Sequence, residues 1–473
     1  MKRVLIAAAG SGSGKTIFTC GLLNLLKKRG ATASFKCGPD YIDPMFHRTV
    51  IGVDSGNLDS FFSTPEELRG IIGGSTAEYA VVEGVMGIYD GIGFGTKAGS
   101  CYEIASITDT PVILLVDAKG MGSTLLSLIK GILADDDRRL IKGVVLNRVS
   151  AGYYGQARPL LAEILTQHGD CRLVGYIPND KGISLESRHL GLRMPSEIGD
   201  LRAQVEHFSE LIESCCDVEA ILDIMASATD LEAPRASENP SAGSGLTLAV
   251  ARDEAFCFYY PENLKAFERR GVKIAEFSPI RDSELPPCDG LLLGGGYPEL
   301  YAEELSCNLS MRESILSAIR GGLPSLAECG GFMYLTDEIM TMGSDGSDAR
   351  HIPMVGAVGA KTFNTGKLCR FGYVRLSAVA DEAEAHLGAN PSSAKDLLPP
   401  GQEIKAHEFH YYDTDNNGSD CLAVKASGSS SWYCVHQGPE HFWGFPHLWY
   451  GSNPSFIADF VEAMRNFRAS QND

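Results

Sequence analysis

Short apolar runs alternate with amphipathic segments through the first half of the chain. The apolar runs cover residues 3–9, 79–83, 111–117 and 141–147, and residues 17–29 carry apolar side chains at helical spacing. Continuous apolar runs of this length are typical of strands buried on both faces, and strands that alternate with helices form parallel sheets. The first half therefore predicts an α/β domain built on a parallel sheet.

The alternation stops near residue 226 and restarts at residue 246. Residues 226–245 are polar, rich in Ser, Ala and Pro, and lack periodic apolar positions, which indicates a linker. The elements predicted beyond it are strands at 246–251 and 290–293 and helices at 260–270 and 311–320. We therefore expect two α/β domains, residues 1–225 and 246–473, joined by this linker.

The length and charge of the chain agree with that division and exclude some functions. A chain of 473 residues is more than one hydrophobic core usually accommodates. The net charge of −19 argues against a broad surface for nucleic acid or anionic membranes, because such surfaces need clustered Lys and Arg. No stretch approaches the roughly 20 apolar residues of a membrane span. We expect no nucleic-acid partner and no membrane association.

The cysteines and the first residues indicate a reducing compartment. Thirteen cysteines are scattered, with no C-x-x-C pair and no spacing typical of a zinc site. A chain of this size does not need disulfides, so we expect reduced thiols. The first apolar run is too short for a signal peptide and leads into a glycine loop. These features predict a cytoplasmic protein.

A glycine-rich stretch, A-A-G-S-G-S-G-K-T, lies between the first predicted strand and the first predicted helix. Glycines such as Gly12 and Gly14 let backbone N–H groups converge on phosphate oxygens. Lys15 is placed to reach the β- and γ-phosphates, and Thr16 to bind Mg²⁺. Alanine replaces the first glycine of the usual pattern. The stretch predicts a phosphate loop that uses ATP.

Polar residues end three of the predicted parallel strands. Glu83, Asp117 and Asn147 lie at the carboxyl edge, where open α/β sheets bind ligands, although capping of loops is the alternative reading. Glu83 is the expected second Mg²⁺ ligand beside Thr16, and Asp40 is another candidate. Asn147 is placed to bond an adenine edge. The edge of this sheet is therefore the expected nucleotide site.

A second candidate site surrounds Cys329. This cysteine lies on a tight turn after an apolar strand and before a helix, which exposes a nucleophile and lowers its pKa. His447 is the leading candidate for its base. Backbone N–H groups at Gly295 and Gly330 are expected to stabilise an oxyanion. An isolated cysteine would be read as part of the core, but these flanking glycines and a histidine favour catalysis.

His407 and His410 form a pair three residues apart. Such a pair suggests a metal site only when a third ligand lies at a suitable spacing, and the sequence offers none. We therefore expect these histidines to line a pocket or to serve the structure.

Together these motifs resemble the cobyrinate a,c-diamide synthase family. The matching stretches follow the order of that family along nearly the whole chain. They are residues 10–16, 35–44, 57–59, 82–91, 186–192, 294–299, 327–335 and 407–411. The resemblance implies a P-loop domain of the dethiobiotin-synthetase type with a parallel sheet. It also implies a following class I glutamine amidotransferase domain with a flavodoxin-like α/β fold.

The resemblance also implies the reaction, that of a carbon–nitrogen ligase. Glutamine is hydrolysed at Cys329 through a glutamyl thioester, with His447 as the base, and the ammonia passes internally to the first domain. There MgATP phosphorylates the a and c acetate carboxylates of cobyrinic acid, and ammonia displaces phosphate to give amides in cobalamin biosynthesis. The implied partners are the tetrapyrrole, glutamine and ATP. A homodimer is compatible with this interpretation.

Further residues match family positions linked to macrocycle binding, metal binding or phosphoryl transfer. These residues are Asp40, Tyr41, Glu83 and Asp90. A polyanionic substrate needs cations, and Lys36, Arg188 and Arg193 lie in or beside family motifs. Solvated surface charge is the alternative reading for these three cations.

One departure and three rival interpretations stay open. Class I amidotransferases usually carry a Glu two residues after the catalytic His, where this chain has Trp449. Nickel-sirohydrochlorin and hydrogenobyrinate are alternative macrocycles. A partitioning-type P-loop ATPase would need a second lysine early in the loop, which this loop lacks. A binding protein with an inactive amidotransferase half is the third rival, and Trp449 is the reason to consider it.

Overall fold

The computed structural model describes residues 1–180, 195–232, 241–341, 350–379 and 395–471. Internal contacts divide the chain into two compact units, Met1–Ala236 and Ser237–Asp473. All thirteen cysteines are free thiols. No helix among the described residues combines the length and the apolar character that crossing a membrane requires.

The first unit is built on a seven-stranded sheet in which all neighbouring strands are parallel. The strands are β1 (Lys2–Ala8), β2 (Thr32–Cys37), β3 (Asp54–Leu58), β4 (Tyr79–Glu83), β5 (Val112–Asp117), β6 (Ile141–Asn147) and β7 (Arg172–Ile177). Their order is β3-β2-β4-β1-β5-β6-β7. The predicted runs at 79–83 and 141–147 coincide with β4 and β6, and the other two runs differ from β1 and β5 by one residue.

Helices cover both faces of this sheet. They are α1 (Lys15–Lys27), α2 (Ile42–Phe46), α3 (Pro65–Gly73), α4 (Cys101–Ile107), α5 (Thr124–Ala134), α6 (Ala151–Gln167), α7 (Pro195–Cys215) and α8 (Val218–Ala226), with a π-helical turn at His47–Ile51. Leu5 and Ala7 of β1 face the core beneath α3 to α6, whereas Val4 and Ile6 face the core beneath α1, α7 and α8. This alternation follows from the two-residue period of a strand, and it explains why the whole run is apolar.

The second unit combines a mainly parallel sheet with antiparallel ones. Its first strands are β8 (Thr247–Ala251), β9 (Phe256–Phe258), β10 (Lys273–Phe277), β11 (Gly290–Leu293), β12 (Gly295–Gly296), β13 (Ser325–Glu328), β14 (Thr336–Thr341), β15 (Arg350–Pro353) and β16 (Val358–Asn364). The remaining strands are β17 (Arg370–Ala378), β18 (Glu403–His410), β19 (Tyr412–Thr414), β20 (Cys421–Lys425), β21 (Ser431–Cys434), β22 (His436–Gln437), β23 (His441–Gly444) and β24 (His447–Leu448).

The central sheet has the order β10-β8-β11-β13-β23-β22, and only the edge strand β22 runs antiparallel to its neighbour. The helices of this unit are α9 (Pro261–Arg269), α10 (Ala302–Cys307), α11 (Leu309–Arg320), α12 (Gly330–Leu335) and α13 (Pro454–Ser470). An antiparallel sheet of order β21-β20-β17-β18-β24 and a mixed sheet of order β15-β14-β16-β19 accompany it. The parallel sheet agrees with the flavodoxin-like expectation, and the accompanying sheets are additions that the sequence interpretation did not contain.

The predicted linker, residues 226–245, lies between the last helix of the first unit and the first strand of the second. Helix α8 ends at Ala226 and β8 begins at Thr247. Because residues 233–240 fall outside the described part of the chain, the domain boundaries at 225 and 246 stay predictions.

Candidate active site

The carboxyl edge of the first sheet collects the predicted phosphate-binding residues. Strand β1 pairs with β4 on one side and with β5 on the other, and β2 pairs with the far side of β4. Because parallel strands end at the same edge, the loop after Ala8, the carboxylate of Glu83 and the end of β2 at Cys37 lie together. The sequence predicted the loop and Glu83 at this edge, but not the end of β2.

The phosphate loop runs from the end of β1 to Lys15, the first residue of α1. Gly12 and Gly14 have φ angles of +72° and +92°, the left-handed region that favours glycine. A Cβ on Gly14 would lie 2.5 Å from Nδ2 of Asn147. Glycine is therefore required at this position both by its backbone conformation and by the close approach of Asn147.

Residues at the ends of β5 and β6 hold this loop. The Asn147 amide Nδ2 donates to the carbonyl of Ser13 at 2.8 Å. Arg148 donates to the carbonyl of Gly12 at 2.9 Å and, through Nε, to Asp117 Oδ1 at 2.9 Å. In this arrangement Asn147 supports the loop. Its contact with an adenine edge stays a prediction, and the engagement of Nδ2 with Ser13 argues against it.

Lys15 is buried at the mouth of the loop. Its ammonium donates to the carbonyls of Gly10, at 3.0 Å, and Met86, at 2.6 Å. Burial lowers the pKa of this lysine. Met86 itself has a φ of +49°, an unusual value for a residue with a side chain. The turn after β4 therefore presents a carbonyl to the lysine that is expected to contact phosphate.

A chain of polar contacts joins the partly buried Thr16 to three buried side chains, those of Glu83, Lys36 and Asp43. Oε1 of Glu83 accepts hydrogen bonds from Thr16 Oγ1 at 2.6 Å and from Lys36 Nζ at 2.8 Å. The same Lys36 ammonium donates to Asp43 Oδ2 at 2.5 Å. Lys36 therefore contacts two carboxylates of the chain itself, and a substrate-binding role would require this pairing to change.

His47 completes the surroundings of Glu83 from the π-helical turn. Its Nε2 lies 3.3 Å from Oε2 of Glu83, and its Nδ1 lies 3.0 Å from Ser34 Oγ. Burial alone would raise the pKa of Glu83, but the Lys36 ammonium and His47 hold it well below its usual range. Burial, with the neighbouring Glu83 charge, raises the pKa of Asp43 well above its usual range. Glu83 is thus the carboxylate that this site keeps ionised.

The oxygen atoms of Thr16 and Glu83 are suitable ligands for Mg²⁺. Mg²⁺ takes hard oxygen donors, and proteins usually supply only one or two carboxylates beside phosphates and waters. The described residues contain no cluster of three or more His, Cys, Asp and Glu side chains able to hold a metal ion by themselves. Asp40 was the other predicted Mg²⁺ ligand. Its Oδ1 accepts hydrogen bonds from the backbone N–H groups of Ile42, at 2.8 Å, and Asp43, at 3.2 Å, at the start of α2.

The other residues predicted for this site have different positions. Asp90 Oδ2 accepts from the backbone N–H of Gly87 at 2.8 Å and so fixes the turn that follows β4. Tyr41 directly precedes α2 and is partly exposed. Arg188 and Arg193 lie outside the described residues, as does the motif at 186–192.

The thiol site lies at the carboxyl edge of the central sheet in the second unit. Strand β13 pairs with β11 on one side and with β23 on the other. Cys329 directly follows β13 with a φ of +49°, and its backbone N–H donates to the carbonyl of Gly444 at 2.8 Å. His447 follows β23 three residues after Gly444. The neighbouring strands therefore bring the predicted nucleophile and base to one edge, with the nucleophile on a strained turn.

Two glycines permit close approaches of the backbone at the thiol site. A Cβ on Gly295 would lie 2.3 Å from Cε1 of His447, and one on Gly330 would lie 3.1 Å from the backbone nitrogen of Gly296. The backbone N–H of Gly330 is directed at the sulfur of Cys329. Gly295 therefore lies against the imidazole and Gly330 beside the thiol, and their role as oxyanion donors stays a prediction.

The acid–base groups of this site are deeply buried. Burial, with the neighbouring His407 and His410, lowers the pKa of His447 to about 3. Burial raises the pKa of the Cys329 thiol well above its usual range and that of Glu328 to about 8. These pKa shifts favour the neutral forms of both the thiol and the imidazole.

A carboxylate next to the nucleophile faces the imidazole. Oε2 of Glu328 lies 4.0 Å from Nδ1 of His447, while Oε1 accepts a hydrogen bond from the Tyr450 hydroxyl at 2.7 Å. Trp449, two residues after the histidine, packs its ring against Tyr260 with the centroids 5.2 Å apart. Indole has only a donor N–H, so Trp449 cannot accept a proton from His447.

His407 and His410 lie on the same strand but have different neighbours. His407 lies directly opposite His447 in the pairing of β18 with β24. His410 Nε2 lies 2.8 Å from Glu408 Oε2, and its Nδ1 lies 2.6 Å from the carbonyl of Tyr412. His410 is therefore held by Glu408 and Tyr412, while pocket-lining or structural roles stay the prediction for both histidines.

Three residues of these sites were missed in the sequence. Asp43 and His47 belong to the buried network around Glu83, and Glu328 faces the imidazole of His447. The only available signals were the position of Asp43 inside the 35–44 motif and the position of Glu328 directly before Cys329.

Two family models together match most of the chain. Residues 4–192 match the CobQ/CobB/MinD/ParA nucleotide binding domain, and residues 247–439 match the CobB/CobQ-like glutamine amidotransferase domain. Each match lies within one of the two units. The first contains the phosphate-loop site, and the second contains Cys329 and Glu328 but ends before His447.

Relatives named cobyrinate a,c-diamide synthase align along nearly the full length. The protein of Listeria innocua is 36% identical over 98% of this chain and 99% of its own. That of Salmonella typhimurium is 36% identical over 98% of each chain. That of Thermoplasma volcanium is 37% identical over 86% of this chain and 85% of its own. The chain belongs to the cobyrinate a,c-diamide synthase family.

Proposed function

We propose that this protein is a glutamine-hydrolysing carbon–nitrogen ligase that amidates the a and c acetate carboxylates of cobyrinic acid in cobalamin biosynthesis. The observation that carries the proposal is its 36% identity, over 98% of the chain, to relatives of that name. A phosphate loop in one unit and a cysteine nucleophile with its histidine in the other support it independently.

In the first unit ATP activates the substrate. A carboxylate is a poor electrophile, and transfer of the γ-phosphoryl group converts one of its oxygens into a leaving group. Lys15 lies at the mouth of the loop, where its ammonium stabilises negative charge on the transferred group. Mg²⁺, held by Thr16 and Glu83, would neutralise phosphate charge. Lys36 and His47 keep Glu83 ionised for this role.

In the second unit glutamine supplies ammonia. The Cys329 thiol gives its proton to His447 as the sulfur attacks the side-chain amide carbon, and the backbone N–H of Gly330 stabilises the oxyanion. His447 then protonates the departing nitrogen, which leaves as ammonia and a glutamyl thioester. Water hydrolyses the thioester to glutamate and restores the thiol. Ammonia displaces phosphate from the acyl phosphate in the first unit and leaves an amide.

The identity of the macrocycle is the finer part of the proposal. Nickel-sirohydrochlorin and hydrogenobyrinate carry corresponding carboxylates and stay alternatives. Tyr41, Lys36, Arg188 and Asp90 are the residues proposed for the macrocycle or its transfer step, and Asn147 for the adenine. None of these residues distinguishes the three macrocycles by its chemistry.

Mass spectrometry of three parallel reactions tests the proposal. Purified protein, MgATP and glutamine are incubated separately with cobyrinic acid, hydrogenobyrinic acid and nickel-sirohydrochlorin. Two carboxylates of cobyrinic acid should become amides, with ADP formed in step. Amidation of another macrocycle alone would move the assignment to that pathway, and consumption of ATP without amidation of any macrocycle would overturn it.

We further propose a cytoplasmic location and a homodimer. ATP, glutamine and reduced thiols are typical of the cytoplasm, and all thirteen cysteines are free. Light scattering after size-exclusion chromatography measures the mass directly, and a mass near that of one 50.9 kDa chain would exclude the dimer.

A further inference from the structure

One buried side chain beside His447, that of Glu328, has no role in the proposed reaction. Glu328 is buried at the end of β13, immediately before the nucleophile, and is not needed for the strand pairing, which uses only its backbone. A buried carboxylate is costly unless hydrogen bonds or charges compensate it. Its position next to the catalytic residues indicates a role in the chemistry.

The two oxygens of Glu328 face different partners. Oε1 accepts from the Tyr450 hydroxyl at 2.7 Å, and the backbone N–H of Leu448 also donates to the carboxylate. These donors fix the plane of the carboxylate. Oε2 lies 4.0 Å from Nδ1 of His447, an ion-pair separation that is longer than a hydrogen bond.

The residue that usually orients the histidine, a Glu two positions after it, is replaced by Trp449 in this chain. Trp449 lies two residues after His447, packs on Tyr260 and has no acceptor atom. The histidine therefore needs an acceptor for its Nδ1–H from another element if Nε2 is to take the thiol proton. Among the described residues, the carboxylate that an ion-pair contact places beside this imidazole is Glu328.

We propose that Glu328 is the positioning residue of the glutaminase site, holding His447 as the Nδ1–H tautomer and stabilising the imidazolium that forms when Nε2 accepts the Cys329 proton. No bond to Glu328 forms or breaks in this step. The proton moves from sulfur to Nε2 and returns to the departing ammonia. The inference rests on the proposed function, because it concerns glutamine hydrolysis at Cys329.

Kinetics of Glu328→Gln test this role. Because burial raises the pKa of Glu328 to about 8, the kinetics and the NMR measurement are made at pH 9, where its carboxylate is ionised. Glutamine keeps the shape and an acceptor for Tyr450 but removes this negative charge, which faces the imidazole. Because loss of the orienting carboxylate in a catalytic triad costs up to about 10⁴-fold, we expect kcat for glutamine hydrolysis to fall on the order of 10²-fold or more. The KM for glutamine should change little, and alkylation of Cys329 by iodoacetamide should slow. A merely structural role would alter KM and stability instead.

Two control variants separate the possible causes of a loss. Glu403→Gln removes an exposed carboxylate of β18 that pairs with Arg375, and it should leave all rates unchanged. Tyr450→Phe keeps the Glu328 charge and removes one of its donors, so its kcat should lie between those of the wild type and Glu328→Gln. Amidation driven by added ammonium salts should remain in every variant, since it does not use the thiol.

The outcomes distinguish the inference from the proposed function. Wild-type protein without Cys329-dependent glutamine hydrolysis would overturn the proposed function. Normal hydrolysis by Glu328→Gln, with the wild type active, would overturn the inference alone. If the variant fails to fold, ¹⁵N-histidine NMR of the wild type decides the question. The inference requires the proton of neutral His447 on Nδ1, and a proton on Nε2 would contradict it.

Discussion

The Thr16 hydroxyl donates a 2.6 Å hydrogen bond to the carboxylate of Glu83, joining the first turn of α1 to the end of β4. The phosphate loop and the acidic strand end are thus coupled through one side-chain contact. Lys36 and His47 hold the same carboxylate ionised from the other side. The candidate nucleotide site is built around this buried carboxylate, on which amidation is expected to depend.

Replacing Glu83 should abolish amidation from either nitrogen source. Glu83→Gln removes the charge expected to hold Mg²⁺ and leaves Asp43 as the carboxylate that contacts Lys36. We expect amidation with glutamine and with ammonium salts to fall at least about 100-fold, because metal-assisted charge stabilisation contributes several kcal/mol. Hydrolysis of glutamine should persist. Glu78→Gln, an exposed carboxylate just before the same strand, is the control and should retain both activities.

Replacing Gly14 should weaken ATP binding selectively. The backbone at Gly14 has a φ of +92°, and an added Cβ would lie 2.5 Å from Asn147. Strain of this kind costs on the order of 1–3 kcal/mol, so Gly14→Ala should raise the Kd for ATP about tenfold or more by titration calorimetry. Gly131→Ala, on α5 with no atom within 4 Å of its added Cβ, is the control. Equal affinities in the two variants would contradict this account of the loop.

Removing the nucleophile should separate the two half-reactions. Cys329→Ala should lose amidation driven by glutamine and keep amidation driven by ammonium salts, since the acyl phosphate forms in the other unit. The comparison requires a folded variant, which circular dichroism verifies. If a folded Cys329→Ala protein also lost the ammonia-driven reaction, the division of labour between the two units would be wrong.

Acid should destabilise the second unit partly through His407. Burial lowers the pKa of His407 to about 4, below its unfolded value of 6.5. Its contribution to stability is therefore full above pH 6.5 and is lost as the pH falls toward 4. Between pH 7 and pH 5 the wild type should lose about 2 kcal/mol that His407→Gln does not lose.

Urea unfolding at the two pH values measures this difference. All three tryptophans, Trp432, Trp443 and Trp449, belong to the second unit, so their fluorescence reports on that unit. Any constant cost of the substitution cancels in the comparison. An equal change in the free energy of unfolding for both proteins would show that His407 does not titrate as its burial requires.

The sequence predicts the parallel strands well because strands buried on both faces are continuous apolar runs. Strands β4 and β6 coincide with apolar runs, and α1 begins within two residues of its predicted start. The antiparallel sheet of β17, β18 and β20 was not predicted, because its strands alternate apolar and polar residues and pair over long sequence separations. A continuous apolar run is therefore easier to recognise in a sequence than the alternating pattern of a strand with one exposed face.

The sequence predicted the motif residues of the candidate sites. It did not predict the side chains that contact them. Lys15, Thr16 and Cys329 follow from local spacing, since one turn of chain positions each of them. His47 reaches Glu83 from an irregular turn, and Glu328 reaches His447 from a different strand. Such contacts depend on how distant elements pack, so no local pattern encodes them.

Transfer of labelled nitrogen tests the central claim most directly. Purified protein is given MgATP, cobyrinic acid and glutamine labelled with ¹⁵N in its amide, in the presence of unlabelled ammonium at a low concentration. We predict a product with two ¹⁵N amides, one ADP formed for each. Product carrying unlabelled nitrogen, or no amide at all while glutamine and ATP are consumed, would contradict the coupling of the two sites.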